Sequence, residues 1–154
     1  MPLTQSFKLP AEKQESPLAK LGLEYAQALG NSDTTRLLPI LVEDYHHVFL
    51  PGTAFPTLTT RAQFVAHLEA VLPYFGEITG DLKEIVISED ANTIVLQIGV
   101  SGTMSDGTPY SSDNLFILHA AQQADGSLKF VSAKEFYNTK SSDELAARLG
   151  ASKA

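Results

Sequence analysis

A carboxylate set into an apolar strand, a histidine on a helix flank, a tyrosine in a helical stripe and an asparagine in a strand row are the side chains here whose types and positions suit proton transfer. The carboxylate is Glu135. In Leu128-Lys-Phe-Val-Ser-Ala-Lys-Glu-Phe-Tyr-Asn138, alternation puts Val131, Ala133, Glu135 and Tyr137 on one face and Phe130, Ser132, Lys134 and Phe136 on the other. Glu135, among small and apolar neighbours, is costly to bury ionised unless a partner pairs with it or its pKa rises. Two readings stand open, a strand-edge salt bridge and a general acid or base.

Thr60-Arg-Ala-Gln63 fits a capping box that opens a helix with Phe64, Leu68, Val71 and Phe75 along its stripe. His67 lies three residues after Phe64 and four before Val71, on the flank of that buried face. Its ordinary pKa allows proton transfer near neutrality, and a half-buried histidine without a role is the alternative. Tyr25 sits in an earlier stripe of Leu18, Leu21, Gly22, Ala28 and Leu29, so its hydroxyl needs a partner in the core or at a cavity wall. In the row Tyr110, Ser112, Asn114, Phe116, Leu118, Asn114 is polar among apolar residues, and Asp113 faces the opposite way. Tyr45-His-His-Val-Phe49 reads as a short strand. His46 and His47 point to opposite faces and cannot chelate one metal together, and one of them looks inward.

These residues need elements to hold them. Ser16-Pro17 starts the first helix and Gly30-Asn31 ends it. Asp33 caps a short second helix through Leu41, limited by Pro39. From residue 81 the period is two, with strands over 81–89, 93–104, 108–121 and 128–138 in an antiparallel meander. Ile94, Leu96, Ile98 and Val100 share a face of the second. Ser141-Ser-Asp-Glu144 reads as a capping box for a short last helix that Gly150 stops. Residues 1–15 are polar and aperiodic and are expected to form an arm, leaving 16–154 as one domain.

Composition narrows the chemistry. The chain has 154 residues, 44% hydrophobic and 19% charged, enough for one sizeable core. It has no Cys, which excludes disulfides, zinc–thiolate clusters and thiol nucleophiles. A net charge of -7, with 11 scattered Lys and Arg, argues against nucleic acid as a partner. No apolar run reaches the roughly 20 residues of a membrane span. Residues 1–15 lack a signal-peptide core, so a cytoplasmic location is expected. No phosphate-binding glycine loop, nucleophile elbow or metal-spaced ligand set occurs, so neither a metal nor a cofactor is called for.

Helices, a short strand and a long antiparallel meander follow the order of the nuclear transport factor 2-like superfamily. The stretches Leu23-Glu-Tyr-Ala-Gln-Ala-Leu-Gly-Asn-Ser-Asp33, Val42-Glu-Asp-Tyr45 and Gly126-Ser-Leu-Lys-Phe-Val-Ser-Ala-Lys-Glu-Phe-Tyr-Asn138 resemble its SnoaL-like branch. That resemblance implies an α+β cone, a curved antiparallel sheet wrapped around the N-terminal helices with a short C-terminal helix, enclosing a pocket for a small hydrophobic molecule. It also implies a homodimer through the outer sheet face, where Val86, Ile117 and Phe130 would supply apolar surface. Val65-Ala-His-Leu-Glu69 and Lys134-Glu-Phe-Tyr-Asn138 are similar to segments of phenazine-biosynthesis proteins, whose matching His and Glu act as acid and base. His67 and Glu135 take those places. Likeness to ketosteroid isomerase, through Glu24-Tyr-Ala-Gln-Ala-Leu29 and Asp113-Asn-Leu-Phe116, suggests Tyr25 and Asp113 as oxyanion binders. Its essential base would fall near Phe49, which cannot take a proton.

The expected site therefore has Glu135, His67 and Tyr25 as catalytic groups. Asn114, Tyr45, His47, Phe49, Phe64, Val71, Tyr74, Ile98 and Phe116 form the substrate wall, and Asp113 is a further candidate. The expected activity is a cofactor-independent isomerase, dehydratase or cyclase acting by acid–base catalysis on an apolar, cyclic substrate. A binding or interaction module of the same fold, without chemistry, is the alternative. Were His67 and Glu135 to form an ion pair, the glutamate pKa would fall and the pair would be a structural anchor.

Overall fold

Alternation over most of the second half of the chain commits it to a sheet, and the helices exist to cover one face of it. The structure, a computed structural model, describes residues 3–5, 9–52 and 55–152. The strands are β1 (Leu3–Gln5), β2 (Leu41–Leu50), β3 (Phe75–Ser88), β4 (Thr93–Met104), β5 (Pro109–Gln122) and β6 (Leu128–Phe136), and they lie in the order β1-β3-β4-β5-β6-β2. From β3 to β6 the pairing is the expected antiparallel meander. At both edges the pairing is parallel, β2 with β6 and β1 with β3, so the curved sheet is mixed rather than purely antiparallel. Parallel neighbours need a long crossover, and the whole meander lies between β2 and β6 to provide one. Within the stretch expected to be an arm, β1 and a helical turn α1 (Ala11–Gln14) are formed.

Helix α2 (Pro17–Gly30) starts where Ser16 and Pro17 indicate, with the Ser16 side chain accepting from the Ala19 N–H at 3.4 Å. It buries Leu18, Ala19, Gly22, Tyr25, Ala26 and Ala28 against the concave face of the sheet. Gly22 permits the approach, since a Cβ there would collide with the side chain of Ile94 on β4. Asp33 caps only a 3-10 turn (Thr34–Leu37), and Leu41 already belongs to β2, which is ten residues long rather than five. Helix α3 (Arg61–Val71) is capped by Thr60, which accepts from the Gln63 N–H at 3.1 Å, while Gln63 returns its Oε1 to the Thr59 N–H at 2.8 Å. Helix α4 (Thr139–Ser152) departs from expectation at both ends. Asn138 caps it, accepting from the N–H groups of Lys140 and Ser141 at 3.1 and 3.3 Å, and the helix runs past Gly150. None of these helices is long and apolar enough to cross a membrane.

Bulges bend the strands and shift their phase. In β6 the register steps from Ala120↔Phe130 to His119↔Ser132, leaving Val131 unpaired in the ladder. That extra residue corrects the two-face reading: Phe130 is fully buried on the same concave side as Ala133 and Glu135, and cannot contribute apolar outer surface. Val86 does lie exposed outside. The main core gathers α2, β2 and the inner face of β3–β6, and a second, smaller cluster joins Val71, Met104 and Leu145 of α4.

At a register shift between β3 and β4, Phe75 pairs with Met104 but Ile78 with Gly102, and Gly102 has φ +147° with Glu77 backbone where a Cβ would stand. Gly102→Ala should therefore lower stability by about 2 kcal/mol or more in urea unfolding. Gly107, φ +85° with open space around it, should accept Asn within about 0.5 kcal/mol.

Candidate active site

The parallel edge of the sheet builds the site. Across three strands the register sets Phe49 of β2 and Phe116 of β5 on either side of Glu135 of β6. His47 and Tyr45 precede Phe49 on β2 at two-residue steps, so all three point to the concave face, where each is buried. The His47 ring stacks on Phe64 of α3, centroids 4.3 Å apart.

His47, not His67, is the partner of Glu135. Its Nε2 lies 2.9 Å from Glu135 Oε1, its Nδ1 2.8 Å from the Tyr45 hydroxyl, and that hydroxyl is 3.4 Å from the Tyr25 hydroxyl. One assignment of protons uses every donor: Tyr25 O–H to Tyr45, Tyr45 O–H to Nδ1, and Nε2–H to the carboxylate. An assignment with an imidazolium, Nδ1–H donating to Tyr45, leaves one of the two buried phenol O–H groups without an acceptor in this row, which is costly. On its other oxygen Glu135 accepts from Asn114 Nδ2 at 3.1 Å, and Asn114 Oδ1 in turn accepts from the Ser112 hydroxyl. The carboxylate is thus held on both sides and keeps 14% of its side chain exposed.

That exposed part faces a cavity of about 350 Å³. His67, Asn114, Phe49, Phe64, Val71, Ile98 and Phe116 line it together with Glu135. Tyr25, Tyr45 and His47, expected at the site as a catalytic group and as substrate wall, are buried behind the wall rather than on it. Burial pushes the hydroxyls of both tyrosines well above the usual phenol range. Tyr74 sits in the 3-10 turn after α3, packed on the second cluster and away from the lining. Asp113 is on the outer face, paired with Lys83 at 3.0 Å, as alternation from the inward Asn114 requires. Ser142 and Leu145 of α4 and Phe55, Phe75, Tyr110 and Tyr137 are also among the lining residues. Tyr110 and Tyr137 were legible, sharing faces with Asn114 and Glu135. Phe75, expected on the stripe of the α3 helix, instead opens β3 because the helix ends at Val71, and Phe55, Ser142 and Leu145 are brought in by loop and helix placement, which periodicity does not report.

His67 is clasped by rings, with Phe49 at 4.9 Å and Phe55 at 4.8 Å between centroids. Burial lowers its pKa, and the nearby Glu135 carboxylate only partly opposes this. Among the described residues no three potential ligands converge on a metal position. Because the folded pKa of His67 lies below the ordinary value, the unfolded chain takes up this proton first as pH falls. The contribution to stability is complete above pH ~6.5 and is lost through the window below it. His67→Asn should flatten the decline of the melting temperature there, and the imidazole should titrate below the ordinary histidine midpoint by NMR.

No protein-family model matches the chain, and no curated protein does. Solved structures do. PrhC from Penicillium brasilianum NBRC 6234 superposes with a TM-score of 0.71 at 20% identity, over 89% of this chain and 90% of that one. A nuclear transport factor 2-like protein from Burkholderia xenovorans LB400 gives 0.66 at 18% identity, over 84% and 95%. A ketosteroid isomerase-like protein from Erwinia carotovora atroseptica SCRI1043 gives 0.62 at 15% identity, over 84% and 99%. A mixed curved sheet closed over by helices, a carboxylate on its concave wall and this agreement in shape over most of each chain lead to one conclusion: the chain has the nuclear transport factor 2-like fold.

Proposed function

We propose that the chain is an acid–base enzyme that moves a proton on a small, largely apolar molecule bound in the cavity, with Glu135 as the group that takes and returns it. The observation that carries this reading is Glu135 itself, a carboxylate hydrogen-bonded on both oxygens yet open to an apolar cavity that it shares with His67. Two fixed donors hold the plane of the carboxylate, so its remaining lone pairs point where the rings permit a ligand to lie. His67, kept neutral by burial, supplies a second acceptor or donor in the same space. Asn114 has a second amide proton with which to hold an oxygen that gains charge during the transfer. Tyr45 and Tyr25 remain phenols throughout, since burial raises both. They orient His47, and through it Glu135, rather than accept the proton.

On a carbonyl substrate, isomerisation, dehydration and cyclisation can each open with removal of a proton next to the carbonyl, and this step can be followed without the natural substrate. Cyclohexanone, 2-decalone and cyclohex-3-enone incubated with the protein in D2O should gain α-deuterium faster than in buffer, as read by NMR. Glu135→Gln should lower that rate by about 10²- to 10⁴-fold while affinity for the same ketones stays within about tenfold. Binding of the ketones with exchange at the buffer rate would instead identify a cavity that holds ligands without chemistry.

A further inference from the structure

We propose that the cavity takes a lipophilic cation, an apolar molecule whose tertiary or quaternary ammonium group seats against Glu135 and the rings beside it. This rests on the reading of the cavity as the working site and adds the charge class of its ligand. Register places Phe49 and Phe116 directly either side of Glu135, and Tyr137 follows two residues later on the same strand end. Phe49, Phe55 and Tyr137 form a ring cluster with centroids 5.2, 6.1 and 6.4 Å apart, and all of these residues line the cavity. Aromatic faces carry negative potential and attract cations, most strongly when water is excluded.

Electrostatics select the same class. Neither Lys nor Arg is among the residues that line the cavity. His47 donates its Nε2–H to Glu135 in the tautomer that satisfies both tyrosines and lies behind the cavity wall. His67 is held neutral by burial at neutral pH. The field inside is therefore set by one carboxylate and several ring faces. An anion is repelled from it, an uncharged molecule gains only hydrophobic contact, and a cation gains both Coulomb and cation–π attraction. An alkylated ammonium loses less hydration than a primary one on entering, and the aliphatic part of the lining accommodates its hydrocarbon. The chain's net charge of -7 adds a long-range pull of the same sign.

The test compares trimethyl(2-phenylethyl)ammonium, its uncharged carbon isostere (3,3-dimethylbutyl)benzene, and 3-phenylpropanoate by equilibrium dialysis against the full chain at pH ~8 and low salt, where histidine is uncharged. The ammonium should bind at least about tenfold more tightly than the isostere, and the carboxylate should not be retained. Glu135→Gln should bring ammonium and isostere within about twofold, and Phe116→Leu, which keeps the carboxylate, should cut the preference about threefold. An isostere that binds as tightly as the ammonium, or a preference that survives Glu135→Gln, overturns the inference. Should Glu135→Gln fail to melt cooperatively, Phe116→Leu decides, and an unchanged preference there overturns it. Ammonium preference without α-proton exchange in the ketone assay removes the catalytic reading alone. Exchange without the preference removes this inference alone.

Discussion

The hydrogen bond between His47 and Glu135 is the constraint on which the rest of the site depends. A carboxylate at the wall of an apolar cavity needs fixed donors, and a buried imidazole needs a partner on each nitrogen. Each supplies what the other lacks, and Tyr45 and Tyr25 complete the row back into the core. The bond spans β2 and β6, which run parallel, and this is why Phe49 can stand beside Glu135 while His47, one step back along β2, reaches its oxygen. Phe64 closes the row from above, stacked on both Tyr25 and His47. Site and core are one structure here, for the same aromatic side chains pack the helices onto the sheet and dry the surroundings of the carboxylate.

Much of the architecture could be read from residue pattern because the physics behind it is local. Ser16-Pro17, Thr60 and the period-two rows from β4 onward each act over a few residues, and each produced the element it implied. Asn114 as the inward member of Asp113-Asn114 followed from the same alternation. What failed was decided by a count of one. The bulge in β6 moved Phe130 from the outer face to the core, and nothing in the residue types around Val131 marks where the extra residue falls. Asn138 outcompeted Ser141 as the cap of α4 because it leaves the strand already positioned over the helix start.

The partner of Glu135 was hidden for a different reason. His47 and His67 are both inward-facing histidines next to Phe49, and residue types alone cannot rank them. The ranking comes from a parallel strand pair at the sheet edge, where residue pattern indicates a strand but not its neighbour or its direction. His67 still reaches the cavity, among the rings around it, so one histidine pairs with the carboxylate and the other lines the space in front of it. The proportion of rings to polar groups in the lining has a parallel origin. It comes from a loop residue, Phe55, and from the last turn of β6 into α4, both of which converge only in three dimensions.

The span between His47 and Glu135 bears on how the molecule acquires its site. Eighty-eight positions separate the two residues, and the strands that carry them touch only after the meander between has found its register. Loop closure over such a distance is entropically expensive, and contacts of this kind form on slow, non-local routes. The hairpins of β3 to β6 can assemble from near neighbours, whereas the carboxylate site exists only when β2 and β6 have met. A partly folded chain thus exposes an apolar sheet without the His47–Glu135 pair, and the hydrogen-bonded carboxylate is set in the cavity wall only as folding completes.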